Sequence, residues 1–207
     1  MSSTPAASLY VPRFNAMDPD DVRPFVEAVA TAQLVTVGDD GVPDATFLPV
    51  LWEGDRLVGH LARANAHWLR IVSGSPALAI VTGPDTYVSP SWYATKAEHG
   101  KVVPTWNYSV VHLRGHIIVH DDADWVRGLV TRLTGRHEQP RTDPWAVTDA
   151  PADYIEKNLR PIVGVELVVS SVEAKAKLSQ NRSDADRAGV ATGLAADGRE
   201  PQGLVAP

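Results

Sequence analysis

The stretch from Gly83 to His120, GPDTYVSPSWYATKAEHGKVVPTWNYSVVHLRGHIIVH, decides the fold of this chain of 207 residues. After Trp106, apolar side chains alternate with polar ones, which include His112, His116 and His120. Because side chains of a β-strand point alternately to opposite faces, this period of two predicts a long strand with one face in the core. The three prolines before it remove backbone donors and favour extended geometry, so we expect short extended pieces there, without a helix.

Aromatic residues are concentrated in the first part of the same stretch. Five of the fourteen in the chain lie between Tyr87 and Tyr108. Aromatic planes beside a polar, half-buried strand suit a flat heteroaromatic ligand, because stacking and burial stabilise it as they stabilise aromatic pairs. An aromatic-rich core loop is an alternative that composition alone leaves open.

Turn sequences on both sides of short apolar runs predict antiparallel hairpins, as at residues 38–41 (GDDG) and 53–55 (EGD). The other predicted strands are residues 34–37, 44–52, 56–62, 77–82 and 162–169. Helices are predicted after the capping residues Asp18, Asn65, Asp121 or Asp122, and Ser183, and a short one from Pro151. Six antiparallel strands with accessory helices predict a mainly β (α+β) fold that closes into a β-barrel, in preference to an α/β sheet.

The composition excludes several classes of protein. The absence of cysteine rules out disulfides, thiol nucleophiles and cysteine-ligated metals. The net charge is −6 and no basic cluster occurs, so direct binding to DNA is doubtful. The sequence shows neither a secretory signal nor an apolar run of about eighteen residues, and we expect a cytoplasmic protein without a membrane segment.

The segment Gly59–Asn65, GHLARAN, runs from a predicted strand directly into a predicted helix. Free N–H groups and the positive end of the helix dipole lie at such a junction, and the guanidinium of Arg63 suits a phosphate. This arrangement predicts a phosphate-binding site. The alternative is a surface arginine beside an ordinary helix cap.

The three histidines of the long strand resemble a metal site only if the segment is helical. On a strand, residues four apart are roughly 13 Å from each other, too far to share one ion. We therefore expect no metal. The sequence also lacks a nucleophile elbow and a marked pair of acidic residues, so hydrolytic catalysis has no support.

Six segments in chain order carry a family resemblance. They are LYVPRF (9–14), FLPVLW (47–52), GHLARANAHW (59–68), GPDTYVSPSWY (83–93), VPTWNYSVVHLRG (103–115) and KLSQNRSDADRAGVATGL (177–194). They resemble the PaiB-type FMN-binding family, whose members are often labelled negative transcriptional regulators. The resemblance implies a split barrel related to the pyridoxamine-phosphate-oxidase-like flavoproteins. The small and polar residues 1–8 predict a disordered N-terminus, and residues 196–207 are predicted to form a flexible C-terminal tail. The FMN-binding split-barrel domain is then residues 9–195.

The resemblance further implies a homodimer with FMN at the subunit interface. One subunit would place the flavin against Phe47, Leu48, Pro49, His60, Leu61 and Ala62, with the phosphate near Arg63 and Asn65. The partner would supply Thr105, Trp106 and Asn107, together with Lys177, Gln180 and Asn181. Ala64 stands where related oxidases commonly have a hydroxyl residue for the phosphate.

Two functions follow from this resemblance, and the sequence does not separate them. The first is a regulatory flavoprotein, and the second is a flavin-dependent oxidoreductase acting on a small molecule. A haem-binding split barrel is a third alternative. Regulation through a partner or a metabolite fits the acidic chain better than direct contact with DNA.

Overall fold

The computed structural model describes residues 9–206 of the chain. The strands are β1 (Thr31–Val37), β2 (Pro43–Glu53), β3 (Arg56–Ala62), β4 (Pro76–Val88), β5 (Thr105–His120) and β6 (Ile162–Lys177). The α-helices are α1 (Pro19–Val29), α2 (Thr95–His99), α3 (Ala123–Glu138), α4 (Ala152–Leu159) and α5 (Asp184–Ala196). None of the helices in this part of the chain is long and apolar enough to cross a membrane. The segment 1–8, for which the sequence predicts disorder, lies outside the described residues.

The strands form one sheet that closes into a barrel, in the order β1-β2-β3-β6-β5-β4. β1 pairs antiparallel with β2 and β4, and β3 pairs antiparallel with β2 and β6. The register places Pro49 of β2 opposite Thr31, and His60 of β3 opposite Gly164. The predicted six-stranded antiparallel split barrel with accessory helices is therefore confirmed.

The chain divides into two compact units. Unit 1 comprises the chain up to Phe25, the segment Val81–His112 and the chain from Glu173 onwards. Unit 2 comprises Val26–Ile80 and Leu113–Val172. The strands β1, β2 and β3 belong to unit 2, whereas the residues of β4, β5 and β6 are divided between both.

In unit 2, α3 packs on the sheet. Leu129 and Leu133 of α3 are buried in a cluster with apolar side chains of β2 and β3. The helix begins after Asp122, whose Oδ1 accepts a hydrogen bond from the backbone N–H of Trp125 at 2.7 Å. The indole of Trp125 lies against Gly164 of β6, where a Cβ would be only 2.1 Å from the ring. Only glycine permits this contact.

In unit 1, α5 packs with Val190 and Leu194 against Val88 and Tyr93. Leu204, which is 7% exposed, belongs to the same apolar cluster. The segment after residue 196, for which the sequence predicts a flexible tail, therefore packs onto the core of unit 1. The reason is that Leu204 and the partly buried Val205 find an apolar partner surface beside α5.

Three helices differ from the sequence prediction. α2 lies in the stretch expected to lack helices, because prolines restrict only their neighbours and residues 95–99 contain none; it ends at Gly100, whose φ is 65°. The helix expected after Asn65 is only a 3-10 segment, Ala66–Arg70. α3 continues beyond the predicted end at Gly135.

Candidate functional site

Alternation along β2 decides which of its predicted site residues can reach a ligand. Phe47 is 63% exposed, Pro49 is also exposed, and Leu48 between them is buried in the core. Gly59 of β3 approaches so closely that a Cβ there would lie 2.4 Å from Leu48 Cδ1 and 2.9 Å from the carbonyl oxygen of Pro49. Phe47 and Pro49 therefore present an apolar surface, whereas Leu48 can contact a ligand only through its backbone.

The same alternation along β3 separates Leu61, which is buried, from His60 and Ala62 on the other face. The Nδ1 atom of His60 is buried and has no hydrogen-bond partner among the described residues. Burial lowers the pKa of His60 below its ordinary value, which favours a neutral ring at pH 7. A buried nitrogen without a partner is costly, and a ligand with ring nitrogens or carbonyl groups can satisfy it.

Arg63 is held by groups of its own unit. Its Nη1 donates to Oδ2 of Asp121 at 3.1 Å, and its Nη2 donates to Oδ1 of the same carboxylate. Its Nε donates to the carbonyl oxygen of Arg160 at 3.0 Å. The hydrogen bonds of this ion pair raise the pKa of Arg63 and lower the pKa of Asp121. A phosphate at Arg63 has to compete with Asp121 for the guanidinium.

The cavity beside Arg63, of about 240 Å³, is acidic. Its lining includes the carboxylates of Asp121, Asp122 and Glu156 against the guanidinium groups of Arg63 and Arg160. Negative groups therefore outnumber positive ones. This environment disfavours a phosphate in that cavity, because like charges repel strongly when they are partly shielded from water.

Asn65 caps the 3-10 helix and has little freedom for a ligand. Its Oδ1 accepts a hydrogen bond from the backbone N–H of His67 at 3.0 Å, and its Nδ2 donates to Oγ1 of Thr46 at 3.1 Å. The ring of His67 lies between two hydroxyls, with Nδ1 2.7 Å from Thr46 Oγ1 and Nε2 2.9 Å from Thr36 Oγ1. Asn65 is thus part of a closed polar network.

His67 is a polar residue of this region that the sequence does not mark out. Burial lowers its pKa, while nearby Asp44 raises it and Arg70 lowers it by smaller amounts. A signal for it exists in β1, where Thr36 occupies a core-facing position of the alternation and is buried. A buried hydroxyl needs a hydrogen-bond partner, so an inward threonine points to a second buried polar group.

His120 of β5 packs between an aromatic ring and a carboxylate. The ring of His120 stacks on the indole of Trp125 with centroids 4.0 Å apart, and its Nε2 lies 3.2 Å from Oε2 of Glu166. Glu166 is buried and also pairs with Arg56. Among residues 9–206, no group of three or more histidine and acidic side chains is placed to share a metal ion.

Unit 1 contains a pocket of about 380 Å³ that is lined by aromatic, polar and basic side chains. Four of the predicted site residues line it, namely Thr105, Asn107, Lys177 and Asn181. No acidic residue is part of this lining. The structure therefore brings these four residues together, as the sequence motifs VPTWNY and KLSQNR do not show by themselves.

Trp106 lies between two pocket residues in sequence but does not line the pocket, because neighbouring residues of a strand point to opposite faces. Its Nε1 donates to Oδ1 of Asp85 at 2.7 Å. Its ring meets Tyr87 edge-on, with centroids 6.2 Å apart. Trp106 is 49% exposed, so it belongs to an outer aromatic surface of β5.

Asn107 and Lys177 are anchored within unit 1. The amide of Asn107 is fully buried, and its Nδ2 donates to Oγ of Ser179 at 3.0 Å and to the carbonyl oxygen of Leu204 at 2.9 Å. The Nζ of Lys177 donates to Oγ1 of Thr105 and to the carbonyl oxygen of Trp106, the latter at 2.8 Å, which leaves one of its three donors. Asn107 therefore holds the C-terminal segment in place, whereas Lys177 keeps donor capacity at the pocket.

Gln180 and Asn181 differ although they are adjacent. The side chain of Gln180 accepts from the backbone N–H of Leu178 at 2.7 Å and donates to the carbonyl oxygen of Ala176, so it closes the turn after β6. Asn181 is exposed and lines the pocket. Only Asn181 of the two is free to face a ligand.

The chain is similar to proteins of a known family. A family model described as "Putative FMN-binding domain" matches residues 9–171, and the chain belongs to this family of FMN-binding domains. The chain is 30% identical over 183 residues to "Protease synthase and sporulation protein PAI 2" of Bacillus subtilis, covering 86% of this chain and 85% of that one. The resemblance to the PaiB-type family is therefore confirmed, and FMN is the cofactor of the family.

Solved structures support the fold. A conserved hypothetical protein of Mycobacterium tuberculosis, Rv2991, is 13% identical with a TM-score of 0.61, over 84% of this chain and 94% of that one. The FAD and heme binding protein from Mycobacterium smegmatis is 23% identical with a TM-score of 0.59, over 85% of this chain and 80% of that one. Identities this low show a common split-barrel fold and nothing more.

The residues of unit 2 fit the ring of FMN better than its phosphate. The exposed Phe47 offers an apolar surface, and the unsatisfied nitrogen of His60 offers a hydrogen-bonding group beside it. Arg63 and Asn65 are already engaged by their own chain.

Proposed function

We propose that the chain works as a cytoplasmic homodimer that holds FMN at the subunit interface and acts as a regulatory flavoprotein. In this proposal, β2 and β3 of one subunit contact the flavin, and Thr105, Trp106, Lys177 and Asn181 of the other subunit complete the site. Asn107 and Gln180, which are bonded within their own chain, hold the segments that carry these residues. The distribution of these two groups over two different compact units supports the proposal. Each unit then offers one half of a site to a different partner.

The observation that carries the proposal is the exposure of large aromatic side chains on regular strands. Phe47 of β2 is 63% exposed, and Tyr87 and Trp106, whose rings contact each other edge-on, are each about half exposed. Large apolar side chains exposed on regular strands are often covered by a ligand or a second subunit. A flavin held between two subunits covers surfaces on both.

The residues divide the work of holding the cofactor. FMN, when bound, supplies reversible transfer of one or two electrons. Phe47 and Pro49 exclude water from the ring, and the neutral His60 satisfies its free nitrogen on a polar edge of the ligand. Lys177 and Asn181 offer a positive charge and an amide from the pocket of unit 1. Arg63 reaches a phosphate only when Asp121 releases it.

A regulatory role through a partner or a metabolite agrees with the charge of the chain. The net charge of −6 opposes the phosphate contacts that dominate DNA affinity. The Bacillus subtilis relative carries the name "Protease synthase and sporulation protein PAI 2". A name that refers to sporulation supports regulation over metabolism as the first candidate.

A flavin-dependent oxidoreductase is the second candidate, and the pocket of unit 1 favours it. Its volume of about 380 Å³ lies within the range of small-molecule sites. A regulator that senses only the flavin needs no such space. The two candidates therefore differ in whether a second small molecule binds.

Titration of the flavin-free protein with FMN and riboflavin, together with light scattering, tests the proposal. We expect the two-band visible spectrum of an oxidised flavin, equimolar FMN and subunit, and a dimer at micromolar concentration. A Soret band instead of flavin bands, or a stable monomer that binds FMN with full affinity, contradicts it.

A further inference from the structure

The pocket of unit 1 has a composition that the binding of FMN alone does not explain. Besides the predicted site residues, its lining includes the aromatic rings of Tyr10, Phe14, Tyr93 and Tyr108 and the cationic groups of Lys175 and Arg182. With Lys177, three cations thus face one small space. Its lining contains no carboxylate to balance them.

Lys175 shows the imbalance most clearly. Lys175 is buried, with only 8% of the residue exposed. Among residues 9–206, no ion pair joins it to a carboxylate. Its Nζ lies 5.2 Å from the ring centroid of Tyr108 and 5.6 Å from that of Tyr10. Aromatic faces offset part of the cost of burying a cation, but a counter-charge offsets far more.

Lys177 lies in the same electrostatic field. Burial lowers its pKa most, Tyr108 raises it by a smaller amount, and the like charges of Lys175 and Arg182 each lower it by less again. An anion in the pocket offsets the repulsion among these like charges and stabilises all three cations. The pocket therefore attracts negative charge before any particular ligand is considered.

Tyr93 adds a second, independent sign of a ligand. It is 3% exposed, lines the pocket, and has a buried hydroxyl without a hydrogen-bond partner in the described part of the chain. The guanidinium of Arg182 lies over its ring at 4.5 Å from the centroid. An unsatisfied phenol beside a stacked cation suits a carboxylate, which accepts from both.

We propose that this pocket binds a small planar organic anion, an aromatic carboxylate, as a ligand separate from the flavin. The binding of this anion does not depend on the proposed function. Its role as the substrate or signal of the FMN site rests on that function. A volume of about 380 Å³ admits a molecule of one or two rings. The aromatic walls select the ring, and Lys175, Arg182 and Tyr93 select the carboxylate.

Isothermal titration of the flavin-free protein with benzoate, and with benzamide as its uncharged match, tests the proposal. We expect benzoate to bind at least tenfold more tightly than benzamide. Lys175→Met and Arg182→Gln each weaken benzoate at least tenfold, and Tyr93→Phe weakens it several-fold. Lys157→Met, a change at an exposed lysine of α4 outside the pocket, leaves binding unchanged.

Thermal unfolding shows whether a variant loses benzoate affinity because it loses a ligand contact or because it is less stable. Lys175→Met removes an uncompensated buried charge, so we expect its Tm without ligand to equal or exceed that of the wild type. Equal affinity for benzoate and benzamide, or unchanged benzoate affinity in Lys175→Met and Arg182→Gln, overturns the proposal. Inorganic phosphate that binds as tightly as benzoate also overturns it, because the aromatic walls then contribute nothing.

Repeating the titration in the presence of saturating FMN separates this ligand from the cofactor. Unchanged or tighter benzoate binding supports a separate ligand, and competitive displacement by FMN assigns the pocket to the cofactor and overturns the proposal. Benzoate binding by a protein that binds no FMN supports the anion pocket while it contradicts the proposed flavin function. The two failures are therefore distinguishable.

Discussion

At the scale of single residues, the guanidinium of Arg63 has two possible anionic partners. One is Asp121, with which it forms a bidentate pair in this structure. The other is the phosphate of FMN, which the family resemblance places near it. The two partners compete, so a change of Asp121 reports on Arg63 without removing it.

We expect Asp121→Asn to strengthen FMN binding by up to about fivefold, the range for an exposed ion pair, because the guanidinium becomes free for the phosphate. Riboflavin, which lacks the phosphate, serves as the control and binds both forms alike. Arg63→Ala weakens FMN and leaves riboflavin unchanged. If neither substitution separates FMN from riboflavin in isothermal titration, Arg63 does not contact the phosphate.

His67 predicts a dependence of stability on pH. Its pKa in the folded chain lies below the ordinary value of 6.5, so the unfolded chain binds more protons below that pH. Stability is therefore full above about pH 6.5 and falls as the pH decreases towards the folded pKa. We expect the Tm of His67→Gln to be lower at pH 8 but to change less between pH 7 and pH 5.

The exposed His116 supplies the control for this experiment, since His116→Gln should leave the slope of Tm against pH unchanged. Part of the slope remains in His67→Gln, because burial also lowers the pKa of His60. A slope identical to the wild type in His67→Gln means that His67 does not titrate on unfolding.

The sequence predicts which way a side chain points better than what it contacts. The period of two along β5 correctly separates buried residues such as Leu113 from their polar neighbours. The partners of Arg63 and Asn107 could not be predicted, because Asp121 and Leu204 are brought to them only by tertiary folding. Capping and periodicity are local signals, and these hydrogen bonds are not.

At the scale of elements, β5 and the C-terminal segment are joined through Asn107. Its fully buried amide satisfies Ser179 and the carbonyl group of Leu204. We expect Asn107→Ala to reduce the free energy of unfolding of the flavin-free protein by about 1–3 kcal/mol, because buried polar groups lose their partner. Chemical denaturation measures it.

Asn181→Ala is the matched control for Asn107→Ala, since Asn181 is exposed and lines the same pocket. Its unfolding midpoint should stay at the wild-type value. An unchanged midpoint in Asn107→Ala as well, with a selective loss of FMN affinity, contradicts the anchoring role and returns Asn107 to the cofactor.

Helix lengths are the part of the elements that the sequence predicts least well. Asn65 and Ser183 were identifiable as caps, and both accept the expected backbone hydrogen bond. The 3-10 helix after Asn65 ends at Arg70, whose side chain pairs with Asp40 and Asp44. Such pairing depends on the neighbouring hairpin, which no local pattern reveals.

At the scale of the whole molecule, the central claim is that FMN is shared between two subunits. Phe47 and Lys177 belong to different compact units, and the claim assigns them to the same site only through a partner subunit. Phe47→Glu and Lys177→Glu each add a negative charge against an anionic cofactor. Phe47 is exposed and Lys177 faces other cations, so both variants should fold.

Co-expressing these two variants in one cell and measuring the FMN bound per subunit tests the claim most directly. Each variant alone should bind almost no FMN. In the mixture, half of the dimers combine both chains and contain one intact site, so about a quarter of the wild-type sites should return. A mixture that forms dimers but recovers no FMN would show that each site is built within a single chain.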